Sequence, residues 1–203
     1  MATPVGIAPV RLDNELVSLI PLEEAHRASL TAIADDPDLW RFATVNQHGT
    51  DFDAWFDERL DQMATRAEIT FAVYDRQAER FAGSSSYLMV NARHRRLEIG
   101  WTWYDKPSWG TQINPACKHL LLTHGFDHLG LHRIEFKVDS TNARSIAAME
   151  KLGAVREGTF RNHLIMPDGR QRHSVYFSIL PDEWPAIREA LTARLREWSA
   201  APK

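Results

Sequence analysis

Residues 96–115 read RLEIGWTWYDKPSWGTQINP, which predicts a β-strand, a short loop and the first turn of a helix. Alternation along the strand is expected to place Leu97, Ile99, Trp101 and Trp103 on one face, and Glu98, Gly100, Thr102 and Tyr104 on the other. Asn114 is a good N-cap residue, and Pro115 suits the first position of a helix. The pattern therefore predicts a helix that begins at Pro115, close to a strand that carries a carboxylate.

The N-terminus of this predicted helix is suited to an anion, because its amides are free and the helix dipole is positive there. A diphosphate would be held by main-chain N–H groups of Trp109, Gly110, Thr111, Gln112, Ile113 and Asn114. Gly110 lacks a Cβ and would allow close approach. An anion site near Glu98 indicates group transfer from a phosphate-bearing cofactor. The alternative is an ordinary connection between a strand and a helix.

The composition limits the class of protein. With 203 residues, 44% hydrophobic and 25% charged, the chain is long enough for one domain with a substantial core. The net charge of −3 gives no general case for nucleic acid, and the apolar runs are too short for a bilayer. Cys117 is the single cysteine, no secretory signal is recognisable, and the histidines lack further metal ligands. We expect a cytoplasmic protein without a metal, and no nucleic-acid or membrane partner.

Hydrophobic periodicity and turn residues predict the order strand, two helices, three strands, helix, strand, helix, two strands, helix. This order predicts one α/β domain over residues 1–203, with residues 1–14 as a loose lead-in. The fold class is a single mixed, mostly antiparallel sheet with flanking helices, and the unit at 97–138 should be a right-handed crossover. The apolar face of the last helix or the hairpin at 155–180 could pair two subunits, so a homodimer is expected as one option; each could equally close the core.

Several further segments extend this pattern: LEIGW at 97–101, WGTQIN at 109–114, NARS at 142–145, EKLGA at 150–154, and REG at 156–158 with Arg161. With them the chain, over about residues 10–198, resembles the GNAT superfamily of acyl-CoA-dependent N-acetyltransferases. The closest likeness is to the branch that includes the ribosomal-protein N-terminal (alanine/serine) acetyltransferases.

The resemblance implies the GNAT fold and acetyl-CoA as co-substrate. It also implies that the pyrophosphate lies on the loop at 107–114, and that pantetheine pairs with the strand at 101–103. The family loop reads Gln/Arg-x-x-Gly-x-Gly/Ala, and here only Gly110 matches, since Pro107 stands at the first position and Gln112 at the last.

Acetyl transfer to an amine requires removal of a proton from the ammonium, donors for the developing oxyanion, and a proton for the departing thiolate. Glu98 is the candidate base, because partial burial would raise the pKa of its carboxyl, and the resemblance supports its position. The alternative is a structural ion pair with Arg95, Arg96 or another partner. The backbone N–H of Trp101 or Trp103 could stabilise the oxyanion.

Ser145 is the candidate for assisting the departure of the thiolate. It follows Asn142, which is expected to cap the next helix and to contact pantetheine. Many superfamily members use a tyrosine for this step, but residues 142–153 contain none, and the resemblance matches Ser145 to a serine of this branch. Ser145 could instead be a polar residue of the helix start with no further role.

These observations predict an N-acetyltransferase that moves an acetyl group from acetyl-CoA to a primary amine. Direct transfer in a ternary complex is expected, because no Cys or Ser nucleophile has its own base. The acceptor could be a protein N-terminus, a polyamine, an amino acid or an aminoglycoside. The first two helices and the loop at 41–50, with Phe42, Asn46 and His48, are expected to shape its site. The alternatives are a non-catalytic acyl-CoA-binding module and an aminoacyl-type transferase without CoA.

Overall fold

The structure is a computed structural model that describes residues 7–45, 47 and 49–200. Its strands are β1 (Leu12–Asp13), β2 (Val17–Pro21), β3 (Ile69–Asp75), β4 (Arg80–Asn91), β5 (Arg96–Tyr104), β6 (Arg133–Asp139), β7 (Val155–Ile165) and β8 (Gln171–Ile179). Its helices are α1 (Arg27–Ala34), α2 (Asp51–Ala64), α3 (Ile113–Thr123), α4 (Ala143–Leu152) and α5 (Trp184–Ala200). Asn46, His48 and residues 1–6 of the expected lead-in lie outside the described residues.

The eight strands form one sheet in the order β1-β2-β3-β4-β5-β6-β8-β7. Every neighbouring pair is antiparallel except β5 and β6, which are parallel and joined through α3. The prediction of a single mixed, mostly antiparallel sheet with flanking helices is confirmed. Within the described ranges, no helix has the length and apolarity needed to cross a membrane.

Two hydrophobic layers cover the sheet. On one side, which we call the α3 face, side chains of β5 and β6 such as Leu97 and Phe136 pack with α3, α4 and α5. On the other side, the α2 face, α1 and α2 bury Leu30 and Phe56 against Trp103 of β5. Each side chain of β5 or β6 therefore points into one of these two layers. The layer determines which side of the site that side chain can reach.

The helix boundaries correct one prediction and confirm another. α3 begins at Ile113 rather than at Pro115, so Asn114 is not its N-cap and lies in its first turn. The helix starts earlier because Thr111 Oγ1 accepts a hydrogen bond from the Ile113 amide at 3.3 Å. The cap predicted for α4 is confirmed, since Asn142 Oδ1 accepts a hydrogen bond from the Ser145 amide at 3.1 Å.

The predicted alternation along β5 is correct only as far as Gly100. Between the β4 partners of Gly100 and Trp103 lies one residue, whereas β5 has two, so β5 contains a bulge. Trp101 takes the left-handed backbone conformation at this point, with φ of 47°. The faces exchange beyond the bulge: Trp103 packs in the α2-face layer and Tyr104 against the α3-face layer. The predicted faces of these two residues are therefore wrong, because the extra residue shifts the period by one.

Candidate functional site

The site lies where β5 and β6 separate. The two strands pair in register over only three residues each, and the last pair is Glu98 with Glu135. Beyond it the strands diverge, and a cleft of about 550 Å³ opens between them. The predicted site residues that line this cleft are Glu98, Trp101, Thr102, Trp103, Trp109, Gly110, Thr111, Asn114, Asn142 and Ser145.

Glu98 lies on the α2 face at the point of divergence, and only 5% of it is exposed. Burial raises the pKa of its carboxyl, and the Lys137 ammonium, 3.5 Å from Oε2, limits the rise. Of the structural partners considered as the alternative, Arg95 and Arg96 do not pair with Glu98, but the contact with Lys137 is a structural ion pair of this kind. Arg96 instead contacts Glu135 at 2.6 Å, and the Arg95 side chain donates to the loop before β6. The carboxylate is thus buried with one partner and faces a cleft, which suits a group that accepts a proton.

The loop before α3 contains one position that requires glycine. Gly110 has φ of 76°, a conformation that residues with a Cβ rarely adopt, and a Cβ built there would meet nothing within 4 Å. Glycine is therefore required by the backbone conformation, and the space beside it is open to a ligand.

The amides of this loop are divided between internal bonds and the cleft. Trp109 and Thr111 donate to the carbonyls of residues 106 and 108, and Ile113 donates to the Thr111 hydroxyl. The amides not engaged by these bonds are those of Gly110, Gln112 and Asn114. Only part of the predicted main-chain set is therefore available for an anion.

Gln112 and Ile113 do not line the cleft. The Gln112 backbone is right-handed, with φ of −72°, so this position has no conformational need for the glycine or alanine of the family pattern. Its side chain is buried and donates to Gln77 Oε1 at 3.4 Å. Ile113 lies in the α3-face layer. Only the main chain of these two residues could contact a cofactor.

The first turn of α4 faces the same loop. The Arg144 guanidinium lies 3.5 Å from the centroid of the Trp109 ring, a cation–π contact that joins α4 to the loop. Ser145 lines the cleft one residue further along. The sequence did not single out Arg144, because nothing in residues 142–145 shows which side chain would reach the loop.

Two residues of the α2 face were also missed by the sequence analysis. Arg172 on β8 is 5% exposed and donates to the Phe42 carbonyl at 3.4 Å, so the loop after α1 lies against it. Three residues that line this part of the cleft have a buried donor atom without a described hydrogen-bond partner: Arg172 Nε, Trp103 Nε1 and Gln47 Nε2; of these, Arg172 Nε lies 4.0 Å from Asp139 Oδ2 in an ion pair. The alternation along β8 was the available signal, since it shows the face of the strand on which Arg172 lies. The sequence of β8 does not show, however, which strand or loop lies beside that face.

The fourth residue that was missed is Lys118, which enters the cleft from the α3 face. Its Nζ lies 3.4 Å from Thr102 Oγ1 and 5.4 Å from the centroid of the Phe136 ring. Burial lowers the pKa of Lys118 to about 8. The signal was its spacing of four residues from Asn114, which places both on one side of the helix.

Cys117, next to Lys118 in the chain, is fully buried in the α3-face layer. Burial raises the pKa of its thiol to about 12, so it is a poor nucleophile at neutral pH. Among the described residues, no group of three or more His, Cys, Asp or Glu side chains could hold a metal ion.

Comparison with known proteins gives a consistent result. The family model for the acetyltransferase (GNAT) domain matches residues 17–155. YdaF of Bacillus subtilis, named as a ribosomal N-acetyltransferase, is 34% identical over 91 residues, which are 45% of this chain and 49% of YdaF. The chain thus spans about half the length of this relative.

Two solved structures share the fold over most of both chains. A GCN5-related N-acetyltransferase from Brucella melitensis is 26% identical, with a TM-score of 0.86 over 93% of this chain and 86% of its own. RimJ of Mycobacterium smegmatis, in complex with CoA-disulfide, is 22% identical, with a TM-score of 0.80 over 93% and 96%, and shows a likeness of fold alone.

Proposed function

The chain belongs to the acetyltransferase (GNAT) domain family, and on this premise we propose that it transfers an acetyl group from acetyl-CoA to the amine of a protein N-terminus. The transfer is direct and takes place in a ternary complex. One observation carries the proposal: the cleft between β5 and β6 has a buried carboxylate, Glu98, on one face of the sheet and an amide-bearing loop on the other.

The residues of the α3 face fit acetyl-CoA. The open amides around Gly110 and the N-terminus of α3 suit a pyrophosphate. The edge of β5 at Trp101, Thr102 and Trp103 has no β6 partner and is free to pair with the amides of pantetheine. The Asn142 side chain lies at the start of α4, where it can contact the same arm. When bound, acetyl-CoA supplies an activated acetyl thioester.

Since the co-substrate supplies the activated thioester, the protein's own residues need only move a proton and donate hydrogen bonds. Glu98 accepts a proton from the acceptor ammonium, directly or through water. The main-chain N–H of Trp101 or Trp103 donates to the oxygen on which negative charge develops. Ser145 is a hydrogen-bond donor on the side of the sulfur. Direct transfer is favoured because Cys117, the single thiol, is buried and protonated at neutral pH.

The buried hydrogen-bond donors of the α2 face indicate the class of acceptor. The side chains of Arg172 and Trp103 can only donate hydrogen bonds, and each has a buried N–H without a described hydrogen-bond partner, although Arg172 also forms an ion pair with Asp139 at 4.0 Å. Such groups favour a ligand that offers oxygen atoms. A peptide N-terminus offers an amine for Glu98 and carbonyl oxygens beside it. A polyamine offers no acceptor, and its further ammonium groups would meet Arg172 and Lys137.

The setting that we propose is the cytoplasm, which agrees with a single unpaired thiol. A homodimer remains a proposal. It is supported by β7, which is an edge strand of the sheet with exposed Phe160 and Ile165. We propose no metal, nucleic-acid or membrane partner.

An amine panel with acetyl-CoA, read out as release of free thiol, tests the proposed function. The panel contains short peptides with a free N-terminus, the same peptides blocked by acetylation, an amino acid, spermidine and an aminoglycoside. We expect thiol release with the free peptides and none with the blocked ones. Faster turnover of spermidine or of the aminoglycoside would show that the acceptor is a small molecule.

Calorimetry separates the remaining alternatives. Binding of acetyl-CoA without thiol release from any amine would indicate a non-catalytic acyl-CoA-binding module. Absence of binding would reject the cofactor and leave the aminoacyl-type transferase.

A further inference from the structure

Lys118 is a buried cation to which the proposed reaction assigns no role. It is 4% exposed, and its ammonium has three N–H donors, but the one hydrogen bond described for it goes to Thr102 Oγ1 at 3.4 Å. The described residues provide no carboxylate within 4.0 Å of it. By contrast, Lys137 lies beside Glu98, and Lys106 contacts two aspartates at the surface.

An unpaired ammonium in this position costs stability, because burial removes water without supplying an opposite charge. Burial accordingly lowers the pKa of Lys118 to about 8, with only the Cys117 thiol acting in the opposite direction. The cationic form is therefore present at neutral pH, and it releases its proton readily. Unpaired charges of this kind are typical of functional sites.

The charged and titratable groups that face this cleft from the surrounding elements do not compensate Lys118. They are Glu98 and Tyr104 on β5, Lys137 and Asp139 on β6, Arg144 and Lys151 on α4, Arg172 on β8 and Arg194 on α5. Of the two carboxylates, Glu98 has Lys137, and Asp139 has Arg170 at 2.8 Å. The α3 side of the cleft therefore keeps an uncompensated positive charge, which favours a ligand group that becomes negative.

We propose that Lys118 is the acid that returns a proton to the sulfur of CoA when the thioester breaks; this inference rests on the proposed function. Glu98 and Lys118 lie on opposite faces of the sheet, at the two sides of one cleft. The amine thus loses its proton on the α2 face, and the sulfur gains one on the α3 face. Ser145, whose hydroxyl is a very weak acid, positions the sulfur.

Glu98 takes one proton from the acceptor ammonium, and the free amine forms the new C–N bond. The C–S bond breaks, and its electron pair stays on sulfur. Lys118 gives its proton to that sulfur and becomes neutral. The nitrogen of the new amide then loses its second proton. Of the two protons that the acceptor has released, one reprotonates Lys118 and the other passes to solvent.

A titration of bound CoA tests the proposal without turnover. The ultraviolet absorbance of the thiolate is followed with pH in complexes of CoA with the wild type, Lys118→Met and Lys151→Met. We expect the bound thiol to ionise at least about one pH unit lower in the wild type than in Lys118→Met, because a nearby cation stabilises the thiolate. Lys151→Met, which removes an exposed lysine at the rim of the same cleft, should titrate like the wild type.

The pH profile of kcat is the second readout. We expect wild-type kcat to fall as the pH rises through about 8, since neutral Lys118 has no proton to give. Lys118→Arg keeps the charge and also serves if the methionine variant does not fold. It should lose about 100-fold in kcat, because a guanidinium does not release its proton.

The failures of the two proposals are distinguishable. Equal thiol titrations in the wild type and in Lys118→Met, with CoA bound to both, would overturn the role of Lys118 and leave the proposed function intact. Full kcat in Lys118→Arg would do the same. No CoA binding to the wild type would instead reject the proposed function itself.

Discussion

Glu98 is buried and has one described ion pair, with Lys137, while the charges of Glu135 and Arg172 also act on it; as the proposed base, its protonation state should govern the rate. Because burial raises the pKa of Glu98, the free carboxylate needed as a base forms only above that raised value. We expect kcat/KM of the wild type to increase with pH through this region. Glu98→Gln should lose about 100-fold in kcat, keep its affinity for CoA, and lose this acidic limb. Unchanged kcat across the pH profile would remove Glu98 from the mechanism.

The same carboxylate should make stability depend on pH. Its pKa in the folded protein is raised above the ordinary 4.5, so the native state binds more protons than the unfolded chain between these two values. Stability from this group is therefore present below about pH 4.5 and is lost as the pH rises through the folded pKa. We expect Glu98→Gln to melt at a higher temperature than the wild type at about pH 8, and the difference to shrink at about pH 4.5.

The control for this melting experiment is Glu150→Gln, which changes an exposed carboxylate on α4. It should show no comparable gain at either pH. A melting point of Glu98→Gln at or below that of the wild type at high pH would mean that the contact with Lys137 outweighs the cost of burial.

Arg172 should determine the affinity for the acceptor. Its Nε has no described hydrogen-bond partner and lies 4.0 Å from Asp139 Oδ2; if it donates to an oxygen of the acceptor, its loss costs one charge-assisted hydrogen bond, about 1.5–3 kcal/mol. We expect Arg172→Met to raise KM for a peptide acceptor about tenfold or more, with a smaller change in kcat. Arg170→Met is the matched control, because Arg170 also contacts Asp139 but does not line the cleft. An equal rise of KM in both variants would point to Asp139 rather than to the acceptor.

At this scale the sequence could identify residues by type and local spacing. Glu98 and Ser145 were found in this way, and both line the cleft. Lys118 and Arg172 were not, because their roles depend on which strands lie beside them. Lys118 lies within an apolar stripe of a helix, and Arg172 lies on a hairpin. Neither belongs to a sequence motif that indicates a role.

At the scale of elements, the bulge in β5 determines which residues can meet. Without the extra residue at Trp101, Trp103 would remain on the α3 face and its indole would not reach the α2 side of the cleft. Alternation of apolar and polar residues predicted the strand correctly. It could not locate the bulge, because a tryptophan and not a glycine stands at the left-handed position. The early start of α3 was missed for a similar reason: the Thr111 hydroxyl takes the role that Asn114 was expected to play.

The loop before α3 allows a direct comparison of two positions. Gly110→Ala places a Cβ on a left-handed backbone, which costs about 1 kcal/mol and distorts the loop. We expect at least about a fivefold loss of CoA affinity, measured by calorimetry. Gln112→Gly introduces the glycine of the family pattern at a right-handed position and removes a buried side chain with its contact to Gln77. It should bind CoA like the wild type; a marked change in affinity would show that the Gln112 side chain reaches the cofactor.

At the scale of the whole molecule, the order of elements was predictable because each has its own periodicity and turn residues; the exception is the two-residue strand β1, which lies within the expected lead-in at 1–14 and pairs with β2. Asn142 and Gly153, for example, bound α4 as expected. The cleft could not be predicted, because it depends on β5 and β6 pairing for three residues and then separating. Beyond that point β5 still pairs with β4 and β6 with β8, but the edges of β5 and β6 that face each other are unpaired, so a ligand can add hydrogen bonds along the open edge of β5.

A ligand that pairs with β5 inside the sheet should therefore stabilise the entire fold. At a concentration of CoA about 100 times its Kd, binding to the native state alone adds about 2.7 kcal/mol. For a chain of this size we expect the melting temperature to rise by about 5–10 °C. Pantetheine without its nucleotide should give a much smaller shift, since the loop at Gly110 would remain empty, and Gly110→Ala should reduce the shift given by CoA. Equal shifts from CoA and pantetheine would exclude the loop as the diphosphate site, and no shift from CoA would mean that the gap between β5 and β6 is not a binding site for it.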